Sequence, residues 1–286
     1  MESEWTGTVE GSFFNGEHFD RNRILQLPEY EYSGRTSDRS YYILSVDVGR
    51  TDCDSVVSVI KVRPQDAGLP ICNLVNIIVI NGENLVDQAV KLKRYFYKYH
   101  ARKLIVDGNG LGRGVIDALA KPQEDPETGA SYPDFGVEND DKGEYKKGRS
   151  KECEFDAIYN MMANPAINTE CHTNLVGMLA SGKIKFLIDE QEAKQKLLGT
   201  KRGREMTPEE RAIYLRPYQL TSILKTEMMN LKEEDGDRTN IKLKRFNTKI
   251  EKDKFSSLEY GLWYVKQTEG MKKKKRFDAS QWKFFN

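Results

Sequence analysis

The chain has 286 residues, of which 38% are hydrophobic, and this is enough for one large domain, or one domain with an appendage, around a substantial core. Its 45 basic and 44 acidic residues leave a net charge of +1, so any binding to nucleic acid has to depend on local basic patches. No apolar run approaches the roughly 20 residues that span a bilayer, and no signal peptide is recognisable, so we expect a cytosolic protein.

Polar and aromatic residues without sustained periodicity fill positions 1–40, and we predict a linker or strapping segment there. The next predicted elements are three strands, at residues 41–48, 55–62 and 73–80. Short turns between consecutive strands favour antiparallel pairing. Asn84 is predicted to cap a helix, which is followed by a short apolar strand at 103–107. This strand, helix, strand succession implies a right-handed crossover and parallel pairing.

The second half of the chain is predicted to be mainly helical. A long loop at 121–151, rich in Pro, Gly and charged residues, surrounds one short strand near 132–137. Predicted helices cover residues 112–120, 154–162, 170–180, 207–216, 217–232 and 255–268, with a strand or hairpin arm at 240–250. Thr207 caps one of these helices and Pro217 is predicted to end it, whereas the charged stretch 191–204 is predicted to be mobile.

Two aspartates, Asp47 and Asp107, end apolar strands, and a glycine follows each within two residues. A lone aspartate at a strand end is usually a turn or cap residue, but residues just past the carboxyl ends of neighbouring strands converge on one crevice in an α/β sheet. A carboxylate at the end of a buried strand also requires a cation or hydrogen-bond donors for compensation. Asp253, before the last helix, completes the set, although alone it is equally well explained as part of a solvated charged turn.

A shared pair of divalent ions is the simplest partner for three carboxylates. Mg²⁺ and Mn²⁺ prefer oxygen ligands, and two such ions can clamp the attacking and leaving oxygens of a phosphoryl transfer. The histidines and cysteines show no zinc spacing, and the cysteines are interpreted as reduced thiols. The glycines at 108, 110, 112 and 114 match neither dinucleotide nor P-loop motifs. The pattern suggests a metal-dependent phosphodiesterase.

Basic residues cluster near the last aspartate and on the long loop. The candidate DNA-binding residues are Lys242, Lys244, Arg245, Lys249 and Lys252 near Asp253, with Lys146, Lys147 and Arg149 on the loop. A run of charge is usually a solvated face, but basic groups around a carboxylate cluster are also what a polyanionic substrate requires. The basic run at 272–276 and the aromatic residues Trp282, Phe284 and Phe285 form a tail that is less diagnostic.

Four motifs together resemble the nuclease domain of the large terminase subunit of tailed bacteriophages, within the RNase H-like superfamily. They are ILSVDVG at 43–49, LIVDGNGLG at 104–112, LASGKIK at 179–185 and KDKFSSLEYG at 252–261. The opening residues 2–5 with Phe13 and Phe14 are similar to the segment that joins the family's packaging ATPase to its nuclease. The match spans about residues 41–266.

This resemblance implies an α/β fold with an RNase H-like mixed central sheet, in which three antiparallel strands are followed by parallel strands, flanked by helices. It implies a linker at 1–40 from an absent ATPase domain, a nuclease domain at 41–270 and a basic tail at 271–286. Asp47 and its two companions would be catalytic acids that bind two Mg²⁺ or Mn²⁺ ions. Some relatives have a histidine where this chain has Ile250.

The implied activity is cleavage of double-stranded DNA during viral genome packaging, with little sequence preference and with 5′ phosphate and 3′ hydroxyl products. The implied partners are the packaging ATPase domain, the small terminase subunit and the portal protein, in the host cytoplasm at the procapsid. Two other classes stay open: half of an actin-like or sugar-kinase-like ATPase, and a DNA-docking module whose acids are structural. Metal-dependent nicking of a plasmid distinguishes the nuclease from both.

Overall fold

The computed structural model describes residues 11–34, 39–49, 54–81, 84–151, 153, 155–234 and 239–281, with the backbone alone over 271–281. The predictions that concern residues 2–5 and the aromatic residues Trp282, Phe284 and Phe285 lie outside the described residues, as do the side chains of the basic run at 272–276.

The described residues form a mixed sheet between two layers of helices. The strands are β1 (Arg23–Leu25), β2 (Tyr41–Asp47), β3 (Ser55–Arg63), β4 (Ile71–Ile80), β5 (Ala101–Asp107), β6 (Gln123–Glu124), β7 (Ser131–Tyr132), β8 (Ile158–Met161), β9 (Ile184–Leu187), β10 (Leu231–Glu233) and β11 (Leu243–Arg245). The α-helices are α1 (Gly16–Arg21), α2 (Leu85–Lys98), α3 (Gly112–Leu119), α4 (Pro165–Ala180), α5 (Glu190–Gly199), α6 (Lys201–Glu205), α7 (Pro208–Met229) and α8 (Asp253–Gln281).

Seven of the strands form the central sheet, in the order β1-β9-β4-β3-β2-β5-β8. The pairs β2–β3 and β3–β4 are antiparallel, whereas β2–β5, β5–β8, β4–β9 and β1–β9 are parallel. The predicted fold class, with three antiparallel strands followed by parallel strands, is confirmed by this order. None of the described helices is long and apolar enough to cross a membrane.

Both faces of the sheet are covered, so its central strands are apolar on both sides. On one face, Leu92 and Phe96 of α2 and Ile116 of α3 pack against the strands. On the other face, α4, α7 and α8 contribute residues such as Leu224 and Leu258. The helix α2 begins as predicted, because the Asn84 side chain accepts hydrogen bonds from the N–H groups of residues 86 and 87 at 3.0 Å.

Helix α8 lies unusually close to the sheet. The hydroxyl groups of Ser58 and Ser257 are 2.7 Å apart, and both residues are fully buried. One turn later, a Cβ placed on Gly261 would lie 2.7 Å from Ile60 Cδ1 and 2.8 Å from Ser45 Cβ. Small residues at this contact therefore let the helix backbone approach β2 and β3, and they fix how the start of α8 lies against the strand ends.

The strand β8 is an edge of the sheet, and the loop before it covers that edge. The Glu138 N–H donates to Ile158 O at 2.8 Å. The Asn139 side chain then donates to Asn160 O at 2.8 Å and accepts from Asn160 N at 2.9 Å. A side-chain amide thus completes the hydrogen bonds that a further strand would otherwise make.

Three predicted elements are wrong. The predicted helix at 154–162 contains the strand β8, because its partner β5 is remote in sequence and local periodicity cannot detect it. The helix α7 continues through Pro217, where packing of the flanking Leu215 and Tyr218 outweighs one lost backbone hydrogen bond. The stretch 191–204 is helical, since Ala193 and its neighbours on α5 pack against α7.

The described part of the predicted linker is joined to the sheet. Residues 16–21 form α1, and β1 adds a parallel edge strand to β9. Phe14 and Phe19 are buried in the core beneath α4 and α7. The separate ATPase domain and the domain boundaries stay predictions.

We expect Gly261→Ala to destabilise the protein by about 1–3 kcal/mol, because the added methyl group would force α8 away from Ile60 and Ser45. Gly270→Ala, on the same helix with nothing within 4 Å of the added methyl carbon, is the matched control and should be stabilising by about 0.5–1 kcal/mol. Urea denaturation measures both changes. Equal unfolding free energies for the two variants would contradict the close helix–sheet contact.

Candidate metal centre

Asp47 and Asp107 lie side by side at one edge of the sheet. They end the neighbouring parallel strands β2 and β5, and the residues before them, Val46 and Val106, are paired in the register. Both side chains are partly exposed, whereas the strand residues behind them are buried. Burial of the preceding apolar residues therefore places two carboxylates at the same end of the sheet.

Asp253 reaches the same edge from the first turn of α8. Burial raises the pKa of Asp47 to about 7, and repulsion from Asp253 and then Asp107 contributes to this increase. The positive charge of Lys252 lowers the pKa of Asp47 but does not offset these effects. The structure thus brings together all three aspartates that the sequence singled out, in a group with excess negative charge.

The other two carboxylates are also harder to ionise than usual. Burial raises the pKa of Asp107, although its carboxylate accepts hydrogen bonds from Asn109 N at 3.1 Å and Asn109 Nδ2 at 3.0 Å. Burial and then repulsion from Glu251 raise the pKa of Asp253. Lys252 opposes the increase at Asp107, whereas Lys254, Lys252 and Arg245 oppose the increase at Asp253. An added positive charge would therefore stabilise the ionised form of these carboxylates.

Two further residues of α8 face the acids and were missed in the sequence. Ser256 donates a side-chain hydrogen bond to Asp47. Burial raises the pKa of Tyr260, and the charges of Glu259, Asp107 and Asp47 raise it further. Ser256 and Tyr260 follow Asp253 at intervals of three and four, which places all three on one face of the helix. That spacing is a signal that could have identified them.

The three aspartates supply the type of donor atom that a hard divalent cation prefers. All three side chains are carboxylates, whose oxygens are ligands that Mg²⁺ and Mn²⁺ prefer. Their mutual repulsion is what a bound cation would relieve. Within the described ranges, however, no three His, Cys, Asp or Glu side chains form a ready metal-binding group. At the position where some relatives have a histidine, Ile250 offers only its carbonyl oxygen, which accepts from Arg245 Nη1 at 3.1 Å.

The predicted DNA-binding residues are divided by the structure into two groups. The positive charge of Lys252 lowers the pKa of Asp47 and Asp107, and that of Arg245 lowers the pKa of Asp253. The exposed residues Lys242, Lys244 and Lys249 lie on or near the hairpin β10–β11, where Lys244 Nζ is 3.8 Å from Glu234 Oε1.

The second group lies on the long loop. Lys146 and Lys147 belong to a short 3-10 turn (Lys146–Gly148), and both are exposed. Arg149 Nη1 forms an ion pair with Asp156 Oδ1 at 2.9 Å. This loop also borders a cavity of about 230 Å³ that extends to Gly108, directly after Asp107.

Asn160 lines this cavity, and sequence reasoning gave it no role. Its Oδ1 is buried and accepts no hydrogen bond from the described residues. A side chain at position 108 would collide with this oxygen, so Gly108 is required there for space. Asn160 and Gly108 come from adjacent parallel strands, and no local pattern relates them.

Solved structures of phage large terminase nucleases have a similar architecture over most of this chain. The magnesium-bound nuclease of thermophilic phage G20c aligns with a TM-score of 0.49 and 16% identity, over 89% of this chain and 97% of that one. The chain resembles these nucleases. For the Thermus phage P74-26 nuclease domain the TM-score is 0.43 at 16% identity, with 85% of this chain and 92% of that one covered. The HK97 bacteriophage large terminase gives 0.46 at 8% identity, over 88% of this chain and 43% of that one.

No protein-family model matches the sequence, and no curated protein is significantly similar to it. The solved structures are of the same kind as the proteins that the sequence motifs resemble. At these low identities and scores, the likeness establishes no activity for this chain.

We expect Asp47→Asn to stabilise the chelator-treated protein at neutral pH. Since the pKa of Asp47 rises from 3.8 to about 7 on folding, the wild-type protein loses stability as the pH increases between these values. Removing this ionisable group should raise the free energy of unfolding by about 2–4 kcal/mol at pH 8, and the gain should disappear toward pH 4. Urea denaturation across this pH range measures the difference. The control is Asp141→Asn, at an exposed position. Parallel pH profiles of stability for the wild type and Asp47→Asn would contradict the prediction.

Proposed function

We propose that this chain is a divalent-metal-dependent endonuclease that cuts double-stranded DNA during viral genome packaging. The observation that supports this proposal is the convergence of Asp47, Asp107 and Asp253, where burial and then repulsion from both companions raise the pKa of Asp47 and the charge of Lys252 does not offset the increase. A structural role alone does not explain such a group, because buried like charges lower stability. Divalent ions held by these acids, together with an anionic substrate, would account for it.

Each side chain has a role in this proposal. Asp47, Asp107 and Asp253 would together hold the two ions, and both companions act on the Asp47 carboxylate. When bound, Mg²⁺ or Mn²⁺ would activate a water molecule for in-line attack and stabilise the leaving oxygen. Asn109 orients the Asp107 carboxylate, and its amide also donates to Ala163 O at 3.2 Å, which ties it to the segment after β8.

The basic residues would bind the backbone of the DNA. Lys252 and Arg245 are close enough to the acids to hold the phosphates next to the cleaved bond. Lysines of the β10–β11 hairpin and of the long loop would contact phosphates farther away. Contacts to phosphates carry no base information, so the proposal includes little sequence preference.

The role in packaging depends on the motif resemblance described above. It assigns 5′ phosphate and 3′ hydroxyl products, and it assigns the packaging ATPase domain, the small terminase subunit and the portal protein as partners. The site of action would be the host cytoplasm, at the procapsid. The alternatives are half of an ATPase, a class that needs a second comparable domain and further phosphate-binding loops, and a non-catalytic DNA-docking module, which does not account for the carboxylates at the sheet edge.

We expect Asp47→Ala and Asp107→Ala to reduce nicking of supercoiled plasmid, in Mg²⁺ or Mn²⁺, to the level seen with chelator. Both variants should still fold, because removing either acid relieves repulsion. Either ion should also raise the melting temperature of the wild type, since it binds the native state alone. Asp141→Ala, on the exposed loop, is the control. Wild-type nicking by either aspartate variant would overturn the proposal.

Charge reversal at Lys242, Lys244 and Lys249 should weaken DNA binding without changing the stabilisation by metal. Each phosphate contact that is lost should reduce the slope of log K against log salt concentration by about 0.9. Fluorescence anisotropy with a duplex, over a series of salt concentrations, measures this slope. Lys194→Glu, an exposed position on α5, is the matched control. An unchanged slope would show that these three lysines do not contact DNA, and the DNA-binding surface would then be assigned to the loop that carries Lys146 and Lys147.

A further inference from the structure

The last turn of α7 contacts the first turn of α8 through one buried carboxylate. Glu227 is 1% exposed, and its Oε2 accepts a hydrogen bond from Phe255 N at 3.0 Å. Its Oε1 accepts from Lys254 Nζ at 2.9 Å. Both donors immediately follow Asp253, so Glu227 is bound to the turn of helix that carries the third acid of the site.

This contact satisfies a requirement of the helix itself. Phe255 is the third residue of α8, and the first N–H groups of a helix have no acceptor within the helix. The residue before the helix is Lys252, whose side chain has no acceptor atom. Glu227 supplies the acceptor from another helix and also places a negative charge at the positive end of the helix dipole.

The charge of Glu227 is matched by that of a neighbouring lysine in this turn. Lys254 is 8% exposed and neutralises Glu227. Burial and repulsion from Asp253 raise the pKa of Glu227, whereas Lys254 lowers it. The Glu227–Lys254 pair therefore fixes the backbone beside Asp253, and Lys254 also lowers the pKa of Asp253 without offsetting the effect of burial.

The same end of α7 also holds the chain that leads into α8. Asn230 Nδ2 donates to Asn247 O at 2.8 Å, and Asn247 N donates to Asn230 Oδ1 at 2.8 Å. A third bond runs from Phe246 N to Asn230 O at 2.8 Å. Glu227 and Asn230 thus fix both ends of the connection 246–255, which carries Lys252 and Asp253.

We infer that Glu227 is a positioning residue that orients Asp253 for metal binding through its hydrogen bond to the Phe255 amide. The inference rests on the proposed function, because it takes Asp253 as a metal ligand. Glu227 is engaged by Phe255 and Lys254, so it acts through the helix backbone and not as a ligand. Residues that orient metal ligands typically change metal affinity by about 10–100-fold when they are replaced.

The test compares two double variants that differ only at position 227, in whether the side chain carries a carbonyl oxygen. Glu227→Gln/Lys254→Met removes both buried charges but keeps a carbonyl oxygen for the Phe255 amide. Glu227→Met/Lys254→Met has the same charge and nearly the same shape but no such acceptor. Replacing a buried ion pair by apolar groups of similar volume is often neutral in stability, so both variants should fold.

Two readouts are used: calorimetry with Mn²⁺ alone, and hydrogen exchange of the Phe255 amide in the metal-free protein. We expect the variant with Met at position 227 to bind Mn²⁺ about 10–100-fold more weakly than the variant with Gln, and to exchange this amide faster. Equal Mn²⁺ affinity and equal exchange in the two variants would overturn the inference. If the wild type binds no Mn²⁺, the proposed function fails first.

A double-mutant cycle separates positioning from general loosening. In an Asp253→Asn background, exchanging Gln for Met at position 227 should have no further effect on Mn²⁺ affinity, since the ligand is already absent. A loss of the same size in that background would assign Glu227 a purely structural role. Asp125→Asn is a control for buried carboxylates, since Asp125 accepts from Glu127 N at 3.0 Å in a different loop. It should reduce stability and leave Mn²⁺ affinity unchanged.

Discussion

Repulsion among three carboxylates is the constraint on which the rest of this structure depends. Burial, and then repulsion from Asp253 and Asp107, raises the pKa of Asp47 to about 7. The chain holds these charges together through apolar packing elsewhere, along β2, β5 and α8. The tight contact of Gly261 with Ile60 exemplifies that packing. Stability is thus generated in the core and partly lost at the sheet edge, as is common at functional sites.

Much of the fold follows from local sequence signals. The strands β2 to β5 were predicted within two residues of their observed bounds, because each is a short apolar run between polar turns. Asn84 and Thr207 cap helices as predicted, and Thr207 forms a complete capping box with Glu210. Local signals fail where the partner is distant. The strands β1, β8 and β9 are only three or four residues long and are stabilised by neighbours far along the chain.

The residues of the candidate site also fall into two sets, those that local sequence signals identify and those that only the folded chain brings together. Asp47 and Asp107 were found because strand ends converge in a predictable manner, and Asp253 was included only as the third member of the set. Ser256 and Tyr260 were within reach of a helix-periodicity argument. Glu227 was not, because it lies at the end of another helix and meets Phe255 only in the folded chain. Sequence reasoning therefore locates the acids, whereas the groups that orient them require the structure.

The amide side chain of Asn139 has a consequence beyond the geometry of the loop. An open edge strand offers unpaired N–H and C=O groups to the strands of other molecules, which is a common route to aggregation. At β8 these groups are occupied by Asn139 and by the backbone of Glu138. The opposite edge, β1, is only three residues long. Among the described residues, the β8 edge is therefore closed to further strands and the β1 edge offers only a short one, which disfavours polymerisation through this sheet.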